Sequence, residues 1–117
     1  MIENFGLGID ISNIEKFKNK SFYENQSFYR KIFTEQEIHY CLKFKNYYEK
    51  FAGKFALKEA LIKSISQKID LLKIETSYLD LKPQIKILDP EISYEFLASL
   101  SHENEFAVAV VISIKIK

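Results

Sequence analysis

A sustained 3.6-residue recurrence of apolar residues runs from Tyr47 to Ser66 and predicts one long amphipathic helix, "FAGKFALKEALIKSI" at its centre. In a chain of 117 residues such a helix leaves room for a single core, so every other element has to pack around it. The chain has three Gly and two Pro, with no repeat and no low-complexity linker. Residues 1–117 are therefore expected to form one domain.

The segments flanking the helix read as strands and short helices. "ENFGLGIDI" alternates, with Phe5, Leu7, Ile9 and Ile11 on one face and Gly6, Gly8 and Asp10 on the other. Ser12 as N-cap with Glu15 three residues later predicts a helix start, and Thr34 with Glu37 repeats the device. "IETSYLDLKPQIKIL" predicts two short strands about a Lys82-Pro83 turn. Asp89 followed by Pro90 predicts a helix over "DPEISYEFLASL". "EFAVAVVISIKIK" predicts a central strand that emerges at an edge. This order of elements predicts an α+β fold, a mostly antiparallel sheet around the long helix.

Composition narrows the functions available. An apolar fraction of 47% with 28% charged residues is that of a soluble globular protein. The longest apolar run, from Phe106 to Ile112, is too short to span a membrane, and the N-terminus lacks a basic, then apolar, leader. Cytoplasmic residence is expected. One Cys and two His cannot build a zinc site, so any metal must be held by oxygen. The net charge of +1 gives no general pull toward nucleic acid or membrane. Between Ser12 and Phe33, however, five basic residues face two acidic ones, either a solvated lysine-rich surface or a docking face for an acidic partner.

Glu59 lies on the long helix between aromatics and alanines, where its desolvation has to be offset. One reading is an i,i+4 salt bridge to Lys63 at the edge of the core. The other involves Asp10, which projects from a strand face otherwise occupied only by glycines, where a ligand or another backbone can come close. Two carboxylates so placed suit a hard divalent cation that shares its shell with water and substrate phosphates. Lys54, Lys63 and the hydroxyl and imidazole of "SLSHENE" would supply donors to phosphate.

"GLGIDISNIEKF", "FTEQEIHYC", "FAGKFALKEALIKSI" and "LSHENEFAVAVVI" resemble, in order and in spacing over nearly the whole chain, the holo-[acyl-carrier-protein] synthase family, the small type of 4′-phosphopantetheinyl transferase. The resemblance implies the fold of that family and an enzyme that moves phosphopantetheine from coenzyme A to a serine of apo acyl carrier protein, in support of fatty acid biosynthesis. It implies Mg²⁺ on Asp10 and Glu59, catalysis by Asp10, Glu59 and Lys63, and coenzyme A contacts from Lys54, Lys63, Lys82, Pro83, Ser101 and His102. It further implies that Lys16 on the first helix faces the carrier protein, and a homotrimer with sites between subunits; Lys18 and Lys20, expected on the same helix, extend the basic docking face for that acidic partner. Asp10, Glu59 and a water molecule are all open as the base for the serine proton. The chain departs from the family where Lys16 and Lys54 replace arginines, "SISQKID" replaces a Gly-Thr-Gly, and Leu81 stands before Lys82-Pro83 in place of glycine.

Two further readings stand beside this one. A small RNA-binding α+β domain would use the basic helix and aromatics on a sheet; 17 Phe and Tyr supply the material. A family member that binds coenzyme A without transferring is the other, and intact Asp10, Glu59 and Lys63 argue against it. For the last strand, burial between subunits and burial within one subunit are both open.

Overall fold

The computed structural model describes residues 2–116. Strand β1 (Phe5–Asn13) leads into α1 (Ile14–Lys18), α2 (Gln26–Arg30), α3 (Glu35–Cys41) and the long α4 (Tyr47–Ser64). A 3-10 turn (Leu71–Lys73) precedes β2 (Ile74–Leu79), β3 (Lys82–Ile87), β4 (Tyr94–Glu103) and β5 (Phe106–Lys115). The α+β expectation holds. All strand pairs are antiparallel, in a three-stranded sheet of order β1-β5-β4 and a β2-β3 hairpin.

Two apolar clusters share α4. Toward its N-terminal half, Phe51 and Ala52 join Phe17, Phe22, Tyr29 and Phe33 from the preceding short helices and loops. Toward its C-terminal half, Ala56, Leu57, Ala60 and Leu61 lie on Ala109 and Val111 of β5 and on Ile74. The alanines let helix and sheet approach closely, and β1 carries the approach further. A Cβ added to Gly8 would overlap the Ala60 carbonyl and stand 2.9 Å from Ser64 N; one added to Gly6 would overlap the Ser64 carbonyl. Another backbone, that of α4, occupies the space these glycines leave.

The apolar face of β1 consequently points away from the core. Phe5, Leu7, Ile9 and Ile11 are each more than half exposed, and Ile112 of β5 and Leu97 of β4 continue the patch in register with Leu7. This inverts the usual arrangement, in which the larger side chains of a strand face its own core.

Several local expectations need correcting. The cap of α1 is Asn13, whose side chain accepts from Glu15 N at 2.9 Å; Ser12 is still in β1, its hydroxyl buried without a partner among the described residues. Thr34 and Glu37 do form the expected capping box. Helix α4 ends at Ser64. The β2-β3 turn is Asp80-Leu81, both at positive φ, so Lys82 and Pro83 open β3. The helix expected after Asp89 does not form. Asp89 Oδ1 caps only a turn through Glu91 N, and Tyr94–Glu103 is a strand whose inward residues Tyr94, Phe96, Ala98 and Leu100 alternate along it. Alternation from Tyr94 to Ser101, laddered on β5, outweighs a two-residue helix-start signal.

Candidate active site

The close glycine contact places Asp10, two residues beyond Gly8 on the same face of β1, against the last turns of α4. Lys63 Nζ donates to Asp10 Oδ1 at 3.1 Å and to the Ile9 carbonyl at 3.1 Å. The Asp10 side chain is 15% exposed and that of Lys63 54%, so the pair sits at a rim open to solvent. Glu59, half-buried one turn before Lys63, stands on the same flank of the helix. The ion pair is thus made across two elements, by Lys63 with Asp10 and not by Lys63 with Glu59. Lys63 also borders a cleft of about 540 Å³ lined by Gly6, Ser64, Ser66, Tyr94 and Ser113, among others; Asp10 and Glu59 lie outside that lining.

The donor set is all oxygen apart from one ammonium. Among the described residues no cluster of three or more His, Cys, Asp and Glu exists. Asp10 and Glu59 can therefore supply two carboxylates, and a cation held there must complete its shell with water and substrate oxygen. This chemistry fits Mg²⁺, which keeps several waters and is commonly held by one or two carboxylates plus phosphate.

Ser101 and His102 are in β4, far along the molecule from Lys63. His102 Nε2 lies 3.3 Å from the Glu49 carbonyl, and a Cβ on Gly53 would stand 3.3 Å from that same nitrogen. Gly53 and Lys63 are ten residues apart on one helix, which at 1.5 Å per residue is about 15 Å. Lys82 and Pro83 stand at the start of the hairpin strand β3.

Lys54 is not brought to this site. It is 1% exposed, and its ammonium donates to the Thr76 carbonyl and Oγ1 at 3.1 Å each, with the Tyr40 and Tyr78 rings 4.7 and 5.1 Å away. Burial pushes its pKa down. One turn on, Lys58 is also fully buried, paired with Glu37 at 2.6 Å. Sequence reading missed this network. A usable signal was present: at about 100° per residue, Lys54 and Lys58 fall inside the arc bounded by Leu57, Leu61 and Phe51.

The three lysines near the N-terminus each lie against an aromatic ring. Lys16 Nζ is 4.4 Å from the centre of Phe55, which is one turn before Glu59; Lys18 lies 5.6 Å from Tyr48; Lys20 lies 4.4 Å from Phe28. Lys20 falls beyond the end of α1, so only Lys16 and Lys18 belong to that helix. The ammonium groups stay at the surface, held against ring faces that limit their freedom.

Sequence and fold are also similar to those of known proteins. The family model of the 4′-phosphopantetheinyl transferase superfamily matches residues 6–111, and the chain belongs to that superfamily. It is 38% identical to the holo-[acyl-carrier-protein] synthase of Thermodesulfovibrio yellowstonii, over 96% of this chain and 98% of that one. The crystal structure of Helicobacter pylori holo-[acyl-carrier-protein] synthase in complex with coenzyme A is 31% identical, with a TM-score of 0.76 over 92% of this chain and 98% of that one. That of the Bacillus anthracis synthase in complex with CoA (3′,5′-ADP) is 30% identical, with a TM-score of 0.78 over 95% of this chain and 96% of that one. Within the superfamily the chain is a phosphopantetheinyl transferase of the holo-[acyl-carrier-protein] synthase type.

Proposed function

We propose that this protein transfers the 4′-phosphopantetheine group of coenzyme A to a serine of apo acyl carrier protein, in the cytoplasm and in support of fatty acid biosynthesis. The observation that carries the reading is the Asp10–Lys63 pair at 3.1 Å beside Glu59, at an open rim on the α4 flank. In the reaction the serine Oγ forms a bond to the β-phosphorus, the bond from that phosphorus to the bridging oxygen breaks, and adenosine 3′,5′-bisphosphate leaves. Little covalent work falls to the protein, so positioning and charge stabilisation have to supply the rate.

Asp10 and Glu59 would hold Mg²⁺, which when bound supplies positive charge to the pyrophosphate oxygens. Lys63 is the cation of the site, more than half exposed, and directs its ammonium to the oxygens on which charge develops. The serine proton passes to a carboxylate oxygen of Asp10 or Glu59 or to water. Ser101, His102, Lys82 and Pro83 serve the nucleotide part of coenzyme A. Lys54 does not, because its ammonium is committed to Thr76.

The acting form is a homotrimer. Support comes from the aliphatic outer sheet face of Leu7, Ile9, Ile11, Leu97 and Ile112, which is too large and continuous to leave in water. A head-to-tail interface closing on three copies buries it, and also offers a way to bring the β4 residues of one subunit toward the α4 carboxylates of another. Phe5 and Phe106 are exposed on this face, but its β4 edge carries Glu95 and Glu103 in place of the basic residues that an RNA-binding sheet needs. No helix among the described residues is long and apolar enough to cross a membrane.

Chromatography of the small-molecule products tests the reading. Adenosine 3′,5′-bisphosphate should appear in step with loss of coenzyme A only when apo carrier protein is present; release without carrier protein, or none with it, contradicts the assignment.

A further inference from the structure

Lys58 is the residue before Glu59 and points the other way, into the protein. Its ammonium uses all three donors on oxygens: the Ile32 carbonyl at 2.7 Å, the Leu71 carbonyl at 3.0 Å and Glu37 Oε1 at 2.6 Å. Glu37 is equally committed. Its Oε1 also accepts from Thr34 N at 2.8 Å, and its Oε2 accepts from Thr76 N at 2.9 Å and from Thr76 Oγ1 at 2.6 Å. Both side chains are fully buried.

A buried ion pair is weak evidence for stability, because desolvation offsets most of the attraction; what a satisfied pair fixes well is geometry. Here the geometry concerns one turn of α4. Lys58 ties that turn directly to the loop at Ile32, the 3-10 turn at Leu71 and Glu37 of α3, and through Glu37 to Thr76 of β2. On the other side of Glu59, Ala60 is pressed against Gly8 with no space for one more carbon. Glu59 therefore stands between two fixed contacts, polar at Lys58 and steric at Ala60. Together they leave the turn little freedom to rotate or slide relative to Asp10.

We propose that the Lys58–Glu37 pair is a positioning device for the reaction: it sets the turn of α4 that carries Glu59 against β1, and so the placement of Glu59 relative to Asp10. This rests on the reading that Asp10 and Glu59 form the reacting site. Lys58 touches no substrate and is not a catalytic residue. Its loss acts on the turnover step and on the local order of α4 more than on substrate affinity, as loss of an orienting contact typically does.

Lys58→Met tests this. It leaves the Glu37 carboxylate with its three remaining donors. If that chain does not fold, Glu37→Gln combined with Lys58→Met, which removes both charges, takes its place. Two readouts are measured at a temperature where the variant is fully folded: transfer kinetics, and hydrogen exchange of the amides of residues 59–63. The expected result is a fall in kcat of about 10- to 100-fold with both KM values nearly unchanged. Exchange at 59–63 should quicken while the β5 amides keep wild-type protection. Wild-type kcat in the folded variant overturns the proposal, whatever the exchange shows; so does unchanged exchange at 59–63. Should the wild-type protein transfer nothing, the assigned function fails on that result, and the exchange readout alone decides whether the pair orders the Glu59 turn.

Discussion

Gly8 of β1 and Ala60 of α4 meet so closely that any side chain at position 8 would run into the Ala60 carbonyl. That contact sets the height at which strand and helix cross, and Asp10 reaches Lys63 because of it. Gly8→Ala should separate the two elements at a cost of about 3 kcal/mol or more, at the upper end of overpacking penalties because backbone atoms must move. Urea unfolding checks this, with the midpoint falling and the slope unchanged.

The outer sheet face should govern assembly. Leu7 is 68% exposed and lies in register with Ile112, which pairs in turn with Leu97. Leu7→Lys adds a charge at the centre of the patch without touching the inner core. Sedimentation velocity should find a trimer for the wild-type chain and a folded monomer for the variant. A wild-type monomer, or a variant that stays trimeric, removes this face from the interface.

Salt should weaken carrier-protein recognition. Lys16 and Lys18 on α1, with Lys20 just beyond it, present surface ammonium groups against aromatic rings, and an acidic partner is attracted to them through solvent. Raising NaCl from low to physiological concentration should increase the apparent KM for carrier protein several-fold and leave kcat nearly constant. Lys16→Ala should flatten that dependence.

Alkaline pH should destabilise the fold through Cys41. Burial in the aromatic core pushes its thiol from the usual 9 up to about 12. Below pH 9 both states hold the proton. Between pH 9 and 12 the unfolded chain loses it while the native chain keeps it, so stability falls as pH rises, by about 1.4 kcal/mol per pH unit. Tyr29 and Tyr78, raised from 10 to about 12, add to the loss above pH 10. Lys54 and Lys58 are shifted downward by burial and act in the opposite sense as pH approaches 10.5. Comparing wild type with Cys41→Ala at pH 8 and pH 10 isolates the thiol: the variant should lose less stability over that interval. Native Cys41 should also resist alkylation at pH 8 and react fully in urea.

What the sequence made legible follows from how local each signal is. The α4 period, the Thr34–Glu37 capping box, the alternation of β1 and the Val- and Ile-rich run of β5 rest on residues close together in the chain, and all are present in the fold. The β4 strand was hidden because Asp89-Pro90 is a genuine helix-start signal, overridden by ladder pairing with β5 that no local window contains. The partner of Lys63 was misread for a similar reason: its i+4 neighbour Glu59 is near in sequence, but Asp10 is near in space. The burial of Lys54 and Lys58 depends on Thr76, Glu37 and the Ile32 and Leu71 carbonyls, which come together only after α3, α4 and β2 have packed. Asp10 and Glu59 stand out in the sequence because a carboxylate on a glycine-lined strand and another on an alanine-lined helix need a partner; the fold gives Asp10 one in Lys63, at 3.1 Å, and the role of the three in transfer is our proposal.

The most direct measurement is the intact mass of apo acyl carrier protein after incubation with this protein, coenzyme A and Mg²⁺, alongside an EDTA control and the Glu59→Gln variant. The expected result is a mass gain of about 340 Da, one phosphopantetheine on serine, as phosphoryl transfer requires. It should vanish with EDTA and fall by at least about 100-fold in rate with Glu59→Gln, whose fold and melting temperature should stay close to wild type. An unmodified carrier protein in the complete reaction, or full modification by Glu59→Gln, would contradict it.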